Sequence, residues 1–181
     1  MTVTAQQVIE FWFEEIESKF WFKKDDAFDQ QLRTRFAATQ QAAACAELYD
    51  WRNTAEGRLA EIIVLDQFSR NLYRDSVEAF AGDPLALALA QEAISQGCDR
   101  ELEAEKRTFL YMPFMHSESL KIHEVAVQLF TDLGRKENLE YEYKHKEIIE
   151  RFGRYPHRNK VLGRESTEEE LAFLKQPGSS F

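Results

Sequence analysis

Apolar positions along this chain recur at spacings of three and four, the period of amphipathic helices, and strand-like alternation does not. The punctuation fits that reading. Thr4 followed by Gln7 is a capping-box pattern and opens a helix through Glu14. A second helix starts near Asp25 and runs through an alanine-rich stretch towards Leu48. Thr54 caps a third that reaches Tyr73. Gly82-Asp83-Pro84 predicts another start, with Asp83 as cap and Pro84 at the first helical position, where its missing N–H costs nothing. That helix ends at Gly97, and the next runs from about Asp99 to Met112, where Pro113 ends or kinks it. One more follows to Gly134, another from Asn138 to Gly153, and Ser166 with Glu169 forms a capping box for a short last helix. About eight helices with short loops predict an all-α fold, an antiparallel array or a short α-solenoid. Residues 1–181 read as one domain, with a loose tail after about residue 176.

Composition adds the kind of core. Aromatics make up 13% of the chain, with 14 Phe and 3 Trp, so the interior should be dominated by phenylalanine. A net charge of −9 argues against nucleic acid and anionic membrane surfaces as partners. No apolar run is long enough to span a bilayer, and no basic-then-apolar leader opens the chain, so the cytoplasm is expected. Cys45 and Cys98 have no paired-ligand spacing and are read as buried thiols. No nucleotide loop, covalent nucleophile, metal motif or cofactor signature is present, so neither a metal nor a cofactor is expected.

Charge enters where apolar residues should be. Leu59, Ile62 and Ile63 set a helical face, and continuing it gives Asp66, Arg70 and Tyr73. Leu65, Phe68 and Leu72 make another side apolar, which predicts a buried helix. Asp66 and Arg70 then pair at i,i+4, either as a packing ion pair or at the border of a cavity where Arg70 or Arg74 meets an anion. At the helix break of residues 113–118, His116 stands two residues from Glu118. Such a pair is an oriented general base or, with a third ligand, a metal site; the plainer alternative is a helix start with a dipole-complementing acid. His123 reads as a helix-surface or packing residue and His145 as a core histidine.

The sharpest asymmetry lies in residues 151–164. Arg151, Arg154, Arg158, Lys160 and Arg164 fall there with His157 and Asn159 and without any Asp or Glu. Arginine's planar fork suits carboxylate or phosphate. Two readings stand: the arginines staple the loop to this chain's own acids, such as Asp66 or Glu118, or they form an anion pocket. The aromatic blocks Phe11-Trp12-Phe13 and Phe20-Trp21-Phe22 are core, or the wall of a ligand pocket that Trp12 faces.

The stretch Leu65-Asp66-Gln67-Phe68-Ser69-Arg70-Asn71-Leu72-Tyr73-Arg74 resembles the hallmark of a bacterial family of uncharacterised proteins. Phe11-Trp12-Phe13, residues 113–118, and residues 151–164 with Ser166-Thr167-Glu168-Glu169 fit the same family, so the resemblance covers nearly the whole chain. It implies an all-helical, tetratricopeptide-like superhelix. The family pattern often has proline where this chain has Ser69, and serine should leave that helix less kinked. It implies no activity and no catalytic residue.

These residues together predict one polar cavity holding an anionic small molecule or an acidic peptide. Arg70, Arg74, Arg154 and Arg158 hold the anion, and Trp12 and Tyr73 supply apolar walls. Asp66, His116, Glu118, His157 and Asn159 supply the remaining polar contacts. The alternatives are an enzyme in the same pocket, with His116 or His157 as general acid/base oriented by Glu118 or Asp66, and a protein-interaction scaffold.

Overall fold

The first three helices begin where a side chain satisfies their free N–H groups. In the computed structural model, which describes residues 2–180, the Thr4 hydroxyl accepts the Gln7 N–H and the Gln7 side chain accepts the Thr4 N–H, opening α1 (Ala5–Glu10). The rod continues through a π turn, Phe11–Glu15. The Asp25 carboxylate accepts two backbone N–H groups and starts α2 (Asp26–Ala44). Thr54 caps α3 (Ala55–Ile63), which passes through a second π turn, Val64–Phe68, into α4 (Ser69–Leu72). Then come α5 (Glu78–Ala81), α6 (Asp83–Ser95), α7 (Ala104–Met115), α8 (Leu120–Leu133), α9 (Lys136–Phe152) and α10 (Glu168–Phe173). Among the described residues there is no strand, and no helix is long and apolar enough to cross a membrane.

The centre of the fold is the rod formed by α3, the π turn and α4. Helices α1, α6 and α7 pack on α3, α2 packs on the π turn and α4, and α5 packs on α4. Every side chain of residues 59–69 is buried. A π turn holds one extra residue, so the faces before and after it leave α register. The Ser69 hydroxyl bonds the Val64 carbonyl five residues back, and Gln40 donates to Ser69 at 3.1 Å. Aromatic rings fill the space around the rod: Phe36 and Phe68 lie 4.8 Å apart, and Phe11 and Phe36 4.7 Å. Helices α7, α8 and α9 add a sequential second layer against α3 and α6.

Four expectations are corrected. Pro113 lies inside α7, which runs on to Met115; the proline removes one donor near the helix end, and the His116 N–H closes the last turn on the Met112 carbonyl at 3.0 Å. Asp83 is the first residue of α6, not its cap. The last capping box is Thr167 with Glu170, one residue later than expected. Cys45, in the turn after α2, is exposed, and Cys98, in the turn after α6, is half-buried. In the tail, Ser179 is buried and donates to the Leu174 carbonyl at 3.2 Å; Phe181 lies outside the described residues.

Phe36 is fully buried between Phe11 and Phe68, whereas Tyr143 is half exposed on α9. Phe36→Ala is expected to cost about 3–5 kcal/mol in urea unfolding, and Tyr143→Ala to stay within about 0.5 kcal/mol. Equal losses in the two variants would contradict this placement of the core.

Candidate functional site

The buried carboxylate of Asp66 gathers partners from three directions. Its Oδ1 meets His116 Nδ1 at 2.7 Å and Arg70 Nη1 at 2.9 Å, and its Oδ2 accepts the Gln67 amide at 2.5 Å. Burial alone would push the Asp66 carboxyl up. The Arg70 guanidinium, His116 and the Gln67 amide outweigh it and hold the group well below the usual carboxylate range. Asp66 is therefore ionised, and the hydrogen on the short contact belongs to His116 Nδ1. Burial pushes His116 itself below the ordinary histidine value; Asp66 opposes this and Arg70 adds to it. His116 is then neutral at pH 7, with Nδ1–H donated inward. Its Nε2 has no hydrogen-bond partner among the described residues, and its side chain is 16% exposed.

Arg70 extends the network. It donates to both oxygens of Asp83 at 2.9 and 3.0 Å and to the Asp66 carbonyl at 2.8 Å. Arg158 approaches Asp83 from the other side, Nη1 to Oδ2 at 3.1 Å, and its Nη2 donates to the His116 carbonyl at 3.0 Å. The Arg158 guanidinium is sandwiched between Phe80 and Tyr155, 4.6 and 4.7 Å from their centroids. Its Nε is buried without a partner. The central rod, α6, the turn after α7 and the loop after α9 thus meet at one point.

The other sequence-predicted residues lie elsewhere, so a single cavity ringed by all of them is not what forms. Trp12 is fully buried in the aromatic core, 5.5 Å from Phe68 and 5.7 Å from Phe109. Tyr73 donates to Gln40 at 2.9 Å. Arg74 forks onto Asp29, beside Asn71, at the edge of a depression of about 310 Å³. Glu118 does not orient His116: it accepts Arg164 at 2.7 and 2.9 Å and the Tyr155 N–H at 2.7 Å. Arg154 forks onto Glu170, and Asn159 bridges Ser166 and Arg164. His157 flanks Tyr155, ring centroids 5.6 Å apart, and burial pushes it down to about 4. A larger depression, about 480 Å³ between the starts of α1 and α3, holds none of the predicted residues.

Some participants escaped the sequence reading. Asp83 looked like a helix cap, and only the need of two buried arginines for a second acid signals it. Of the two readings of His123, packing holds and its partners are new: it is fully buried, with Nδ1 2.7 Å from Glu142 and Nε2 donating to the Ser117 carbonyl at 2.8 Å. Tyr155 sits against His123, its hydroxyl donating to the Met115 carbonyl at 2.6 Å. His145 is the core histidine expected, its Nδ1 donating to the Tyr141 carbonyl at 2.7 Å.

The family model described as "Bacterial protein of unknown function (DUF924)" matches residues 8–178, and the chain belongs to that family. The chain is similar to a solved structure of a protein of unknown function from Agrobacterium tumefaciens. The two are 40% identical over 94% of this chain and 96% of that one, with a TM-score of 0.90. No curated protein matches it.

Asp83→Asn leaves Arg70 and Arg158 without their shared carboxylate and is expected to cost about 3–5 kcal/mol in denaturant unfolding. Breaking the exposed Arg151–Glu169 pair should move the unfolding midpoint little; the reverse order would contradict the network. Stability should also fall in mild acid. Burial pushes His145 down to about 3, so the folded state keeps it neutral while the unfolded chain protonates near 6.5. Its contribution is complete above about pH 6.5 and is lost below, at up to about 1.4 kcal/mol per pH unit until the folded value is reached. Urea unfolding between pH 7.5 and 5 should show this slope, reduced by about one proton in His145→Gln; an unchanged slope would count against it.

Proposed function

We propose that this member of a bacterial family of unknown function binds a small molecule where His116 and Arg70 reach solvent, with His116 Nε2 accepting a hydrogen bond or a proton from it. One observation carries the reading. Asp66 fixes the Nδ1–H tautomer of His116 through a 2.7 Å contact, which turns the ring's lone pair outward at Nε2. Arg70 meets the same Asp66 oxygen, so its guanidinium lies beside the imidazole and is 20% exposed. A hydroxyl or amide seated there gives its proton to Nε2, and Arg70 stabilises the charge left behind. A protein that only binds and an enzyme that transfers a proton share this arrangement, and turnover separates them.

The acidic-peptide alternative has less support. Arg151, Arg154, Arg158 and Arg164 each face a carboxylate of this chain, which leaves little free basic surface. A tetratricopeptide-like interaction scaffold is favoured by a different feature, the exposed Leu120 and Val125 of α8 with Tyr141 and Tyr143 of α9.

The test is a thermal-shift screen of small hydroxy, amide, carboxylate and phosphate compounds, with and without divalent metals, on the protein and on His116→Gln. A ligand at about a hundred times its dissociation constant adds roughly 2.7 kcal/mol. That raises the midpoint by several degrees, at about 2–4 °C per kcal/mol for a chain of this size. The expected result is a stabilising compound whose effect disappears in His116→Gln. Compounds that stabilise both proteins equally would place binding elsewhere.

A further inference from the structure

The charges around His116 cancel. Asp66 and Asp83 carry two negative charges, and Arg70 and Arg158 carry two positive ones, all joined by direct contacts. Arg158 is pushed down by burial but stays charged, as arginine does in proteins. With His116 neutral, the cluster has no net charge to offer an anion, although its two guanidiniums invite one. Both forks are already committed to Asp83. An anion placed at this half-buried spot would add an uncompensated charge, which a protein interior tolerates poorly.

One group can supply the missing positive charge without breaking a contact. Protonation of His116 at Nε2 leaves the Nδ1–H bond to Asp66 intact and sets the imidazolium's positive charge against its carboxylate partner. Resting on the small-molecule reading above, we propose that this site takes a weak-acid anion of the carboxylate or phosphate class together with one proton, which resides on His116 Nε2. The bound state is an imidazolium flanked by Asp66 on one side and the ligand anion on the other. When the ligand arrives as the acid, its O–H bond breaks and the Nε2–H bond forms; when it arrives ionised, the proton comes from solvent.

The neighbours leave His116 as the group that moves. Asp66 and Arg70 face it from the central rod, Asp83 from α6, and His145 from α9, ring centroids 6.4 Å apart. Arg158 and His157 face it from the loop after α9. Burial holds His145 and His157 neutral, down to about 3 and about 4, while Asp66 is held well below the usual carboxylate range and arginine stays charged in proteins.

Formate, which stays a monoanion from pH 5 to 8, is the probe. The His116 ring signals of labelled protein are followed by NMR through that range across a formate series, with His116→Gln in parallel. The expected result is that formate raises the His116 midpoint by about one unit or more. Formate affinity then falls about tenfold for each pH unit between the midpoint of the free protein and that of the complex. His116→Gln, which cannot take up a proton, binds formate weakly and without pH dependence. If formate perturbs His116 and Arg70 with equal affinity at pH 6 and pH 8, the small-molecule site stands and the proton coupling is wrong. If formate perturbs neither at any pH, the anion proposal fails and a compound found through the His116-dependent thermal shift must be a neutral donor.

Discussion

A buried ionised carboxylate is the constraint that organises this molecule. Asp66 lies on the central rod with its side chain 1% exposed, where an unpaired charge would cost several kcal/mol. It therefore needs donors on both oxygens, and Arg70, His116 and Gln67 provide them. Arg70, itself half-buried, needs a second acid, which fixes the start of α6 at Asp83. Asp83 in turn takes Arg158 from the loop after α9. Each charge calls for the next, and the sequence of pairings holds four separated segments of chain in one place.

Two histidine–carboxylate pairs differ in whether the second ring nitrogen is used. In the first, His123 and Glu142 are both fully buried and share one proton, because His123 Nε2 must donate to the Ser117 carbonyl. Both ring nitrogens are spent, and burial raises the Glu142 carboxyl. In the second, His116 spends only Nδ1, on an acid that stays ionised, and keeps Nε2 for solvent or a ligand. A histidine and a carboxylate at the same 2.7 Å separation thus give a closed joint in one place and an open one in the other. The difference is burial of the second nitrogen.

The helices were legible because their ends are local. Thr4, Asp25 and Thr54 cap where they stand, and Gly134 and Gly153 adopt the left-handed conformation that ends α8 and α9. The Asp66–Arg70 pair was legible for the same reason, as neighbours one turn apart. What could not be read were partnerships at long range. Arg158 and Asp83 are 75 positions apart, and nothing near Asp83 distinguishes a network member from a cap. The π turn after Ile63 was equally hidden, since Val64, Leu65 and Phe68 fit an ordinary buried helix. Trp12 was misplaced because an aromatic wall and an aromatic core have one composition.

The central claim is that Asp66 holds His116 neutral with its lone pair on Nε2, facing outward. The nitrogen-15 shifts of the His116 ring at pH 7.5, in the protein and in Asp66→Asn, test it most directly. The account predicts a protonated Nδ1 and a bare Nε2 in the protein, with loss of that single tautomer when the carboxylate becomes an amide. A protonated Nε2 with a bare Nδ1, or an imidazolium at that pH, would contradict it.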